Sequence, residues 1–111
     1  MRPEDRRKSP RVVVDLPVRV GMAGQTVPGR LHDVCRDAAL VETHHSCVVG
    51  TRVTLAWESS RGGGMVQVDG VVLRVSASEG DARRIAILFV DVAPATATAI
   101  ELLVHRAGTD G

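Results

Sequence analysis

The amino-acid sequence predicts an all-β domain with one helix: a small six-stranded antiparallel β-barrel closed by a C-terminal α-helix. Three observations carry this expectation. Valine-rich runs recur at intervals of roughly ten residues with turn signals between them. After Pro94 the apolar spacing changes from that of a strand to that of a helix. The chain has 111 residues, 44% hydrophobic and 24% charged, and a domain of this size buries roughly two thirds of the surface that its unfolded form exposes. A core therefore forms without disulfide or metal staples.

Residues 1–10 are almost wholly polar or charged, with Pro3 and Pro10 as breakers, and read as a flexible basic arm. The barrel domain is expected over residues 11–106, with a short tail at 107–111. Strand one starts near Arg11 and runs through Val12, Val13 and Val14 to Val18 and Val20, with Pro17 pointing to an edge or a bulge. Gly21 to Gly24 gives a hairpin signal. Thr26 to Val34 reads as a second strand, interrupted by Pro28 and Gly29, and Ala39 to Thr43 as a third.

His44 to Gly50 is a loop, after which Thr51 to Trp57 alternates Val53, Leu55 and Trp57 against Arg52, Thr54 and Ala56. Ser59, Ser60 and Gly62 to Gly64 form a connection. Without a following Lys and Ser or Thr, and opening a strand rather than a helix, this glycine cluster does not fit a phosphate-binding P-loop. Met65 to Val75 is the fifth strand, Ser76 to Asp81 a turn, and Arg84 to Val90 the sixth strand, with Ile85, Ile87 and Phe89 on one face. From Pro94, Ala97, Ile100, Leu103 and Val104 fall on one helical stripe, with Glu101 and Arg106 outside it.

Composition excludes several function classes. With 14 basic and 13 acidic side chains the net charge is +1, which does not suit a general nucleic-acid binder; the cations instead crowd the start, at Arg2, Arg6, Arg7, Lys8 and Arg11. Trp57 and Phe89 are the only aromatics, too few to stack the bases of a single strand. No apolar run reaches the ~20 residues of a membrane span, so a cytoplasmic protein without membrane insertion is expected.

Cys35 and Cys47 are too few for a disulfide framework. Together with His32, His44 and His45 they supply zinc-type ligands, but not at the paired spacing that presents ligands from one turn. Paired carboxylates, a nucleophile elbow and a Ser, His, Asp set are all missing from the pattern, so no enzyme and no cofactor are expected.

Two patterns remain. The arm ends in Arg6, Arg7, Lys8, Ser9, Pro10, Arg11, an RxxxR spacing at Arg7 and Arg11. Between strands two and three lies Asp33, Val34, Cys35, Arg36, Asp37, Ala38, followed by Leu40 and Val41. This arrangement resembles the PilZ domain, a bacterial receptor module for the second messenger cyclic di-GMP, whose marks are an RxxxR arm and a DxSxxG turn. The resemblance covers nearly the whole chain and implies a ligand site of Arg6, Arg7, Arg11, Asp33, Cys35 and Ala38.

Such a ligand carries two phosphates and two guanines. Forked guanidinium groups suit the phosphates and guanine O6 and N7, and a carboxylate accepts from guanine N1 and N2. The resemblance implies the first role for Arg7 and Arg11 and the second for Asp33, with ligand binding ordering the arm and passing a signal to an unidentified protein partner, as a monomer or a dimer. The departures are Cys35 where the family has Ser, a weaker donor, and Ala38 where it has Gly. If position 38 requires a left-handed backbone, alanine costs roughly 1 kcal/mol there. The alternative reading is a nucleotide-blind adaptor that keeps the barrel and acts only through protein contacts.

Overall fold

The computed structural model describes residues 12–59 and 64–110, with side chains through residue 106. It contains β1 (Val12–Met22), β2 (Gln25–Val34), β3 (Ala38–Thr43), β4 (Arg52–Glu58), β5 (Met65–Ala77), β6 (Arg83–Val90) and α1 (Pro94–Asp110). The strands form a closed antiparallel barrel in the order β1-β2-β3-β6-β5-β4. The basic arm expected at 1–10, with Arg6, Arg7 and also Arg11, lies outside the described residues.

Period-two alternation drives the closure. Val53, Leu55 and Trp57 of β4 and Ile85, Ile87 and Phe89 of β6 all point inward, where they meet Val20, Leu31, Val34, Val41 and Val72. The helix supplies Ile100, fully buried, with Leu103 and Val104 partly covered beside it, so the expected stripe closes one end of the barrel. Thr96 at its first turn donates to the Gln67 carbonyl of β5 at 3.4 Å. The helix continues to Asp110, four residues beyond the domain end expected at Arg106. Among the described residues no helix is long and apolar enough to cross a membrane.

Three local details differ from expectation. The β1–β2 turn is Ala23 and Gly24, with φ of 51° and 78°, the double left-handed conformation that matches the twist of a two-residue hairpin; Gly21 stays within β1. Pro17 does not make the irregularity in β1. The register slips between Val13 and Leu16, where Asp15 has φ 71°, while Pro17 pairs with Arg30. Pro17 is tolerated because the β1–β4 ladder spans only Arg19 to Gly21 and leaves it on an open edge. Likewise β2 runs unbroken through Pro28 and Gly29, since its ladder to β3 starts at Arg30 and makes no demand on an N–H at Pro28. The Pro28 carbonyl is used instead, accepting from the buried Thr43 hydroxyl at 3.0 Å.

Alternation of direction gathers the β1–β2, β3–β4 and β5–β6 turns at one end of the barrel. The β2–β3 turn, the helix and the start of β1 lie at the other. Close strand packing depends on Gly70, where a Cβ would sit 2.4 Å from Ile87 Cγ2 and 2.8 Å from the Leu88 carbonyl oxygen. Gly70→Ala is expected to destabilise the fold by about 1–3 kcal/mol through overpacking. A urea melt would show it, and an unchanged midpoint would mean that β5 and β6 are less tightly apposed than described.

Candidate functional site

The site is built on a second irregularity. Between β2 and β3 the register passes from Leu31↔Val41 directly to Asp33↔Leu40, so His32 is an extra residue in β2. Leu31 and Val34 are fully buried, whereas His32 and Asp33 between them are both partly exposed. Strict alternation would send Asp33 into the core. The extra residue turns it outward, beside Val13 of β1 and Leu40 of β3.

The chain then leaves β2 in a tight turn. The Cys35 N–H donates to the Ala38 carbonyl at 2.9 Å, and the Phe89 N–H of β6 donates to the Asp37 carbonyl at 2.9 Å. Arg36 and Asp37 point to solvent. Val12, the first described residue of β1, pairs with Val34, so the segment carrying the arginines joins the fold next to Asp33 and the turn. On the outer surface Leu40 pairs with Ala86 and Ala38 with Leu88, a small apolar floor in which Leu88 is 39% exposed. Both aromatics, Trp57 and Phe89, are in the core. This face therefore offers charge, hydrogen-bonding groups and aliphatic surface, and neither an indole nor a phenyl ring.

Of the residues singled out from sequence, Asp33 lies on the outer side of the ladder at the turn, half-buried, with its Oδ1 fully covered and the rest of the side chain partly exposed. Cys35 is only 8% exposed, with its thiol withdrawn from the surface. Ala38 corrects the strain argument. Among the described residues positive φ occurs outside glycine only at Asp15, Ala23 and Asp91; Ala38 opens β3 in ladder with Leu88. The turn closes without a left-handed residue at 38, so alanine carries no backbone penalty there.

The zinc-type residues are dispersed. His45 Nε2 lies 3.0 Å from Gln25 Nε2 at the hairpin end, Cys47 packs against the core, and no group of three His, Cys, Asp or Glu among the described residues could hold a metal.

Sequence reasoning missed the polar cluster next to Asp33. His32 Nε2 lies 3.0 Å from Glu42 Oε1, the Ser78 hydroxyl donates to Glu42 Oε2, and Arg84 Nε is 3.9 Å from that same oxygen. Alongside, Arg30 Nε donates to Asp15 Oδ1 at 2.6 Å. The available signal was Leu31-His32-Asp33-Val34, two polar residues between apolar ones three apart, a spacing that a regular strand does not produce. The hydrogen bonds from Ser78 and then His32 hold the Glu42 carboxyl below the ordinary carboxylate range, outweighing the opposing effect of its partial burial.

Two outcomes follow. Ala38→Gly should lower stability by about 0.5–1 kcal/mol, as glycine does within a strand; a stabilised variant in a thermal melt would restore the strain argument. Because the folded-state pKa of Glu42 is lowered, its contribution is complete above the unfolded carboxylate range and is lost as pH falls through the lowered value. Glu42→Gln should therefore weaken the acid dependence of stability in urea melts between about pH 2 and 6. Parallel pH profiles for both proteins would contradict the ion cluster.

Comparison with known proteins agrees with this fold. The PilZ domain profile matches residues 5–106. Among solved structures, the PilZ domain of YcgR from Escherichia coli with c-di-GMP superposes with a TM-score of 0.77 at 15% identity, covering 95% of this chain and 93% of that one. The Bacillus subtilis inhibitor of motility, MotI/DgrA, gives a TM-score of 0.80 at 14% identity over 95% of this chain. The K. pneumonia MrkH complex with c-di-GMP gives 0.73 at 18% identity over 96%. The chain spans about half of the latter two, 52% and 56%. No curated protein matches the sequence. With the profile running from the arginine segment through the barrel and into the closing helix, the chain belongs to the PilZ domain family.

Proposed function

We propose that this domain is a receptor for cyclic di-GMP that passes ligand binding to a protein partner. The observation that carries the reading is the outward Asp33, set by the β2 bulge beside the point where the arginine-bearing segment joins β1. In this reading the Asp33 carboxylate accepts from guanine N1 and N2, and Arg7 and Arg11, with Arg6 beside them, clamp phosphate and the guanine O6/N7 edge in forked geometry. Ala38, Leu40 and Leu88 form the aliphatic floor. Cys35 contributes the backbone of the turn rather than its side chain. Neutralising a self-repelling cluster of cations gives the ligand a means of ordering the arm and exposing or creating a contact for a partner.

One observation favours the nucleotide-blind alternative. The buried Cys35 thiol offers no strong donor where the family pattern has a hydroxyl. Titration calorimetry separates the two readings. Wild type should bind cyclic di-GMP, and Arg7→Ala or Arg11→Ala should each weaken binding by about 10- to 100-fold, the loss of one charge-assisted contact. Equal affinity in wild type and both variants would remove the arginines from the site. No heat at all in wild type, with an intact thermal melt, would leave the adaptor reading standing.

A further inference from the structure

The bulge in β2 turns outward not one side chain but two, and the second is a histidine held in place. His32 Nε2 faces Glu42 Oε1 at 3.0 Å, on β3. Glu42 is in turn fixed at its other oxygen by Ser78, from beyond β5, with Arg84 of β6 3.9 Å away. The imidazole is thus oriented by a carboxylate that is itself oriented from two further elements. Glu42 occupies Nε2, and Nδ1 lies on the other side of the ring. His32 keeps 32% of its side chain exposed. Among the described residues, the charged groups on its own and the nearby strands include Asp33 and Arg30 of β2, Asp15 of β1 bound to Arg30, Glu42 of β3 and Arg84 of β6.

Consecutive Cα atoms are about 3.8 Å apart, so a cyclic dinucleotide engaged at Asp33 lies within reach of the neighbouring ring. We propose that His32 is a further ligand-contacting residue of the nucleotide site: with Nε2–H donated to Glu42, its protonated ring donates Nδ1–H to a phosphate oxygen of the ligand, and binding takes up a proton from solvent. The inference rests on the cyclic di-GMP reading above. Glu42 orients the ring through Nε2, and the ligand phosphate completes a carboxylate–imidazole–phosphate chain. No other described histidine has this placement, since His44 and His45 belong to the β3–β4 loop at the far end of the barrel and His105 to the helix.

The test is cyclic di-GMP affinity, by calorimetry, across the range in which histidines ionise. Wild type should bind about tenfold more weakly at the alkaline end than at the acid end, one charge-assisted contact being lost. His32→Gln should bind with an affinity independent of pH, near the alkaline value of wild type. Glu42→Gln should bind with a shallower dependence, and His45→Gln should keep the full one. Repeating the wild-type titration in buffers of different ionisation enthalpy should reveal the proton uptake, a readout that a merely structural histidine does not move.

A pH-independent wild-type affinity, or a dependence that survives in His32→Gln, overturns the proposal and leaves the receptor reading intact. A thermal melt of each variant establishes that it is folded. Should His32→Gln fail to fold, His32→Asn, which retains a polar side chain at the bulge, takes its place. Absence of binding in wild type at every pH removes the receptor reading and this proposal together.

Discussion

Everything proposed for this domain hangs on one extra residue in β2. Strand side chains alternate with a period of two, so the register of a barrel strand decides which groups reach solvent. With Leu31 in the core, a regular strand would bury Asp33 and expose Val34; the insertion of His32 reverses both. Asp33 then faces outward while Val34 seals the core next to the turn. The slip in β1 at Asp15 lies at the same level, opposite His32, so both strands bend together and their ladder resumes with Leu16 and Leu31. Bulges re-aim side chains, and here two irregularities, at Asp15 and at His32, lie beside the Asp33–Ala38 turn.

The barrel itself was legible because its signal is repetitive. Val53, Leu55 and Trp57, and Ile85, Ile87 and Phe89, announce their faces by alternation, and Ile100 with Leu103 and Val104 announces the helix by its stripe. Proline gave a partial signal: Pro17 marked an open edge, but the bulge sits two residues earlier, at an aspartate whose short polar side chain tolerates the left-handed backbone. Registers between strands are not local properties. Consequently the bulge at His32, the cluster around Glu42 and the floor of Ala38, Leu40, Ala86 and Leu88 emerged only once β3 lay between β2 and β6. Position 38 shows the limit of a motif: a family glycine suggests a left-handed backbone there, whereas the turn closes through the Cys35 amide and Ala38 already belongs to a strand.

The same packing restricts how a ligand can be recognised. Trp57 and Phe89 are spent on the core, so the outer face offers carboxylate, imidazole, guanidinium and aliphatic groups and neither an indole nor a phenyl platform. That inventory suits a compact, doubly charged ligand better than an extended polynucleotide, whose bases need stacking surfaces. It also separates the two departures at the turn. Ala38 leaves the backbone unstrained, while Cys35, only 8% exposed, puts a weaker donor where the family pattern has a hydroxyl.

The most direct test of the account is a map of where the nucleotide lands. Backbone amide resonances followed during titration with cyclic di-GMP should shift at residues 12–13, 32–40 and 86–89, which the bulge and the turn bring together, and stay in place at the Ala23–Gly24 hairpin and the 44–51 loop at the opposite end. Shifts confined to that opposite end, or a spectrum unchanged at saturating nucleotide, would contradict the assignment of this face as the ligand site.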